Sequence, residues 1–136
     1  MRTTTVICLL LLVGCSRREQ QLSPTHVEAP FYPPLARMAR IPGKVVLLMT
    51  IDSNGNVVDA EATNDDKSHP LLKIATIDNI RRWTFVKPSS APYTQVITYN
   101  YEIDENRPQS ASPRTTVKFD LPDRVSIVTN APEVNP

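Results

Sequence analysis

Residues 44–63, KVVLLMTIDSNGNVVDAEAT, decide the fold. From Lys44 to Asp52 the side chains alternate: Val45, Leu47, Met49 and Ile51 share one face, and Lys44, Val46, Leu48 and Thr50 the other. One face is wholly apolar and the second half so, the pattern of a strand inside a sheet. Asn54-Gly55 follows, the strongest short-range signal for a hairpin turn. The return strand, Val57 to Thr63, is expected to place Val58, Ala60 and Ala62 on one face and Val57, Asp59 and Glu61 on the other.

Working outward, Asn64 to Pro70 leads into a predicted helix from Pro70 to Trp83, with acids ahead of its positive end and Arg81-Arg82 at its negative end. Leu72, Ala75, Thr76, Asn79, Ile80 and Trp83 line one side. Leu71, Ile74 and Ile77 make a second stripe, so a further segment is expected to cover it. Trp83 to Lys87 reads as a short strand stopped by Pro88. Tyr93 to Asp104 alternates as a long half-buried strand, its burial supplied mostly by Tyr93, Tyr99 and Tyr101. Upstream, Pro30-Phe31-Tyr32-Pro33-Pro34 is extended and Leu35 to Arg40 a short helix ending before Pro42-Gly43. The expected fold is α+β: a two-layer domain with an antiparallel sheet of about three to five strands and a helix packed on it. Residues 105–113 form a polar linker, 114–129 an additional β segment, and 130–136 a tail expected to be disordered.

The N-terminus reads as an address. Arg2 precedes an uninterrupted apolar run, Val6 to Val13, far shorter than the roughly 20 residues that span a bilayer. Leu12-Val13-Gly14-Cys15 resembles the lipobox of bacterial lipoproteins, which implies a signal peptide over residues 1–14, a lipid on Cys15 and, with Ser16 after it, export to the outer membrane. Residues 15–29 are polar enough to be a flexible tether. No cysteine follows Cys15, so the folded part has no disulfide or cysteine metal site. The net charge of +1 and the lack of any basic cluster exclude a nucleic-acid footprint.

The hairpin–helix–strand order, with the motif Tyr32-Pro33, Ala36-Arg37, Ile41-Pro42-Gly43-Lys44-Val45, Gly55-Asn56-Val57, Leu72, Ala75, Trp83-Thr84-Phe85 and Pro88, resembles the TonB C-terminal domain family over residues 30–104. The resemblance implies a periplasmic binding module that grips an extended segment of an outer-membrane receptor by strand addition. By motif position the pairing edge would be Val96, Ile97, Thr98, Tyr99, Asn100, Tyr101 and Glu102. An open edge there would also allow a homodimer. Two features depart from the family: the chain shows no transmembrane helix with a long proline-rich spacer, which puts force transduction in doubt, and the segment 114–129 is extra. The sequence leaves open whether that segment covers the edge.

Tyr32, Pro33, Gly43, Gly55, Trp83, Phe85 and Pro88 all have plain structural reasons, and none suggests catalysis. His69 beside Asp65 and Asp66 reads as a polar helix lead-in, and no metal, nucleophile or phosphate-loop spacing occurs. No cofactor and no enzymatic activity are expected. The competing function is a structural envelope lipoprotein that binds cell-wall glycan, favoured if the edge is closed and a polar groove lies elsewhere.

Overall fold

The computed structural model describes residues 21–63 and 65–134. The expected signal peptide, Cys15 and the first part of the expected tether lie outside the described residues, as do Asn64, Asn135 and Pro136. The elements run β1 (Pro24–His26), α1 (Pro34–Met38), β2 (Gly43–Ile51), β3 (Val57–Ala62), α2 (Pro70–Ile80), β4 (Thr84–Phe85), β5 (Tyr93–Asp104), β6 (Thr116–Asp120) and β7 (Arg124–Asn130). A five-stranded sheet has the order β3-β2-β5-β7-β6, and β1 and β4 form a separate two-stranded sheet. The architecture is α+β, as the alternation predicts.

The hairpin turns where Asn-Gly places it. Asp52 Oδ1 accepts the N–H groups of Asn54 and Asn56, both at 2.9 Å, and Gly55 takes φ 85°, a left-handed value suited to glycine. The faces of β3 differ from the expectation. The register slips between Thr50 and Ile51, so Thr50 faces Asp59 and Ile51 faces Val57. Val58 is the extra residue of this bulge, 57% exposed, while Val57 and Ala60 turn inward.

One face of β2, β5 and β7 builds the core. Val45, Leu47, Met49, Ile51, Ile97, Tyr99, Tyr101, Val125 and Ile127 pack with Leu72 and Ile80 of α2 and with Trp83. The helix ends at Ile80, three residues before the expected Trp83, because Trp83 must swing its indole into the core; the Trp83 backbone N–H closes a tight last turn on Ile80 O. His69 caps the other end, its Nδ1 accepting the Leu71 N–H at 3.2 Å. Of the outer stripe, Leu71 and Ile77 are half-buried against the core and Ile74 is exposed.

Two boundaries need correction. The tether expected over residues 15–29 does not extend to Ala29, because Pro24–His26 pairs with β4 and Leu22 exchanges hydrogen bonds with the Gln95 side chain. Its few apolar residues, Leu22 and Val27, are those that reach the core. The tail is not free from residue 130: Asn130, Ala131 and Pro132 are buried. Within the linker, the Ser110 carbonyl is bound by Arg37. The sheet is also mixed and not purely antiparallel, since β7 runs parallel to β5.

Candidate partner-binding edge

The strand assigned to partner binding from the sequence is an interior strand over most of its length. β5 pairs on one side with β2, from Gly43↔Tyr101 to Ile51↔Tyr93. On the other side β7 runs parallel to it from Thr98↔Arg124 to Asp104↔Asn130, and the Thr98 N–H reaches Asp123 O at 2.8 Å. Thr98, Tyr99, Asn100 and Tyr101 are thus paired on both sides, Glu102 is paired with β7 alone, and only Val96 and Ile97 lie beyond β7. The segment 114–129 forms the β6–β7 hairpin and closes the edge; β6 becomes the outer strand. The reason lies in the alternation of β7: Val125 and Ile127 continue the apolar face of β5, and burying them outweighs leaving that edge in water. An edge for homodimer exchange is likewise absent at Thr98–Tyr101.

The aromatic side chains of β5 serve the interior. Tyr99 OH donates to Asn79 Oδ1 at 2.7 Å, and Tyr101 OH shares a 2.8 Å hydrogen bond with Thr76 Oγ1. Tyr101 meets the Tyr32 ring edge-on at 5.5 Å. Burial, with the neighbouring Tyr101, pushes the Tyr32 phenol up to about 12 and that of Tyr99 further still. Burial pushes Tyr101 up to about 12 against the opposing hydrogen bond from Thr76.

The motif residues are structural supports. Tyr32 OH donates to Ile41 O, which fixes the loop after α1. Pro33 is buried ahead of α1. A Cβ on Gly43 would stand 3.1 Å from Leu72 Cδ1, and one on Gly55 only 2.0 Å from Phe85 O. That close approach lets Phe85 N–H donate to Gly55 O at 2.7 Å, joining the hairpin turn to β4. Trp83 Nε1 reaches both Glu28 O and Asn79 Oδ1 at 3.1 Å, and its ring stacks on Phe85. Pro88 is half-buried beyond β4.

One residue that the motif contains, but to which its pattern gives no role, holds the edge closed. Arg37, only 4% exposed, donates Nε to Asn130 O at 3.0 Å and Nη2 to Ser110 O at 2.6 Å. Nη2 also lies 3.3 Å from Asn130 Oδ1 and from Ala131 O. Asn130 in turn accepts the Arg114 N–H and donates to Pro108 O, so a single knot ties α1, the linker and the end of β7.

Away from the helices, the other face of the sheet carries a groove of about 440 Å³ lined by Lys44, Val46, Asp65, Thr98, Asn100, Arg124, Val125 and Ser126. Beside it, Asp66 accepts the Val46 N–H, where β3 no longer reaches β2, and holds Ser68 and Lys73. Burial alone would raise the Asp66 carboxyl, but the hydrogen bonds from Val46, Ser68 and Lys73 hold it below the usual carboxylate range. Among the described residues no helix is long and apolar enough to cross a membrane, and no group of three or more His, Cys, Asp or Glu side chains is placed to hold a metal.

Residues 28–104 match the family described as Gram-negative bacterial TonB protein C-terminal, which is more than half of the chain. Two curated relatives, each named Protein TonB, come from Xanthomonas campestris pv. campestris strains B100 and ATCC 33913. Each is 33% identical over 64 residues, covering 47% of this chain and 28% of the relative. The chain therefore spans little more than a quarter of the relatives' length. No solved structure matches significantly. The matched span ends with β5, so β6 and β7 lie wholly beyond it.

Proposed function

The chain belongs to the TonB C-terminal domain family, and from that premise we propose that it is a lipid-anchored, periplasm-facing binding module, accessory to transport across the outer membrane. Its partner is an extended segment of an outer-membrane receptor or of another envelope protein. The observation that carries this reading is the way β5 accepts an added parallel strand along Thr98–Asp104. Main-chain pairing of that kind supplies affinity, and pockets for alternate side chains supply selectivity. Because β7 already holds the position, a foreign segment joins β5 by taking the place of the hairpin. The outer strand β6 is a poorer acceptor, being short and carrying Lys118 and Asp120.

The test is amide exchange on the full chain with synthetic peptides covering the periplasmic segments of outer-membrane receptors. A binding peptide frees the amides of β7 while those of Thr98–Asp104 stay protected. If no peptide alters exchange in either strand, the reading fails.

A second reading, a structural envelope lipoprotein that binds cell-wall glycan, has the closed edge and the polar groove beside Asn100 and Ser126 in its favour. Saturable cosedimentation with purified sacculi, weakened by Asn100→Ala, would support it over receptor binding.

A further inference from the structure

The helical layer presents an apolar stripe to solvent. Around α1 the exposed positions are Phe31, Pro34, Leu35, Met38 and Ala39, all of them apolar. Phe31 is 63%, Leu35 68% and Met38 61% exposed, and Ile74 on α2 is 61% exposed. The stripe cannot turn inward. Between its members, Tyr32, Ala36 and Arg37 are buried, and the Arg37 knot fixes the roll of the helix. Phe31 also opens on a cleft of about 170 Å³ shared with Ala75, Asp78 and Arg82 of the α2 side. Patches this concentrated on a small domain commonly mark a contact surface.

We propose that this stripe rests on the phospholipid surface to which the chain is anchored. The inference rests on the lipid-anchored reading of Cys15 given above. Its argument is the length of the leash. The domain starts at Leu22, clasped by Gln95, so only Ser16 to Gln21 separate it from the lipidated cysteine. The seven steps from Cys15 to Leu22 span at most about 25 Å whatever their conformation. A leash of that length holds a domain with a radius of gyration of roughly 13 Å beside the bilayer, at a high effective concentration. A convex apolar stripe with Phe31 at one end suits shallow burial at the headgroup boundary. Arg40 follows directly at its other end, paired with Glu105 at 2.9 Å, and Arg82, beside Arg81 at the close of α2, lies 3.6 Å from Glu28. Exchange of these carboxylates for phosphates is open to such long cationic stems at the edge of an apolar contact. Glu28 and Asp78 beside the cleft set the limit of the contact.

The test uses the full lipidated chain in phosphatidylethanolamine–phosphatidylglycerol vesicles, with single nitroxide labels at Leu35→Cys, Met38→Cys and, on the opposite sheet face, Ser126→Cys. Oxygen and nickel accessibilities should place labels 35 and 38 in the bilayer interface and label 126 in water. Labels 35 and 38 as water-accessible as label 126 on a lipidated chain overturn the docking and leave the anchor standing. Mass spectrometry of Cys15 tests the anchor separately, and an unmodified cysteine overturns both. Adding Phe31→Ser and Ile74→Ser should move labels 35 and 38 toward water without unfolding the domain, since both side chains are exposed.

Discussion

Arg37→Met should loosen the closed edge from its far end. The guanidinium makes two short hydrogen bonds, 3.0 Å to Asn130 O and 2.6 Å to Ser110 O, and two longer contacts at 3.3 Å. Each short bond from a charged donor contributes about 1.5–3 kcal/mol, and the carbonyls left behind are partly buried. Methionine keeps the apolar stem and avoids the desolvation of a buried cation, which returns part of the loss and leaves a net cost of about 3 kcal/mol. At about 4 °C per kcal/mol for a domain of this size, the midpoint should fall by roughly 12 °C. The position of the loss is more telling than its size. Exchange of the Thr129, Asn130 and Glu102–Asp104 amides should quicken by about two orders of magnitude, the factor that 3 kcal/mol represents. Leu47 to Met49, on the other side of β5, exchange only through global unfolding, so they should remain the slower set even as overall stability falls. A midpoint lowered by less than about 3 °C, or edge amides that still exchange as slowly as those of β2, would refute the idea that Arg37 seals this edge.

Gly55→Ala places a Cβ 2.0 Å from Phe85 O at a positive φ, so urea unfolding should show a loss of about 2 kcal/mol or more. Gly43→Ala meets only the end of the Leu72 side chain and should cost much less. The lowered Asp66 carboxyl contributes stability that is present above its unfolded value of about 3.9 and is lost as pH falls through its folded value. Asp66→Asn should therefore flatten the acid limb of a stability–pH curve, and an unchanged limb would contradict the role assigned to the Val46 contact. For Tyr32 and Tyr101 the sign reverses: their stabilisation is complete below about pH 10 and is lost as pH rises through about 12. Ultraviolet titration should show both phenolates appearing late, together with unfolding, and early ionisation would count against their burial.

The hairpin, the long strand and the buried helix face were legible because period and turn chemistry agreed there. Asn54-Gly55 sits where the turn is, and Leu72, Thr76, Ile80 and Trp83 are buried as the spacing predicts. Legibility failed where a non-local partner decided the outcome. The spacing of α1 alone would bury Leu35 and Met38 and expose Arg37; the structure does the reverse, because Arg37 answers carbonyls from Ser110, Asn130 and Ala131, far along the chain. The bulge at Val58 depends on how β3 meets β2, which no single strand encodes. The partner edge was assigned by motif position, and the motif ends before the residues that fill it. A strand such as Arg124–Asn130 announces that it will be buried but not beside whom.

The place of β7 after β5 in the chain bears on assembly order. β2, β3, α2 and β5 all emerge before it, so β5 is complete while its outer hydrogen-bonding groups still lack a partner. Hairpins close in about 1–10 μs, so the search by β7 is not what limits closure. Residues 105–130 must still follow β5, and at the about 5–20 per second of synthesis their delivery takes seconds where export keeps pace with it. For that interval a competing strand meets an acceptor that the finished molecule conceals. A chain arrested at Asp123 would hold this state, with fast-exchanging amides along Thr98–Asp104. Protection at the arrested stage would show that the groups find another partner. In the completed fold, the same competitor must first overcome β7 and the Arg37 knot, so the timing of arrival, as much as affinity, decides which strand β5 keeps.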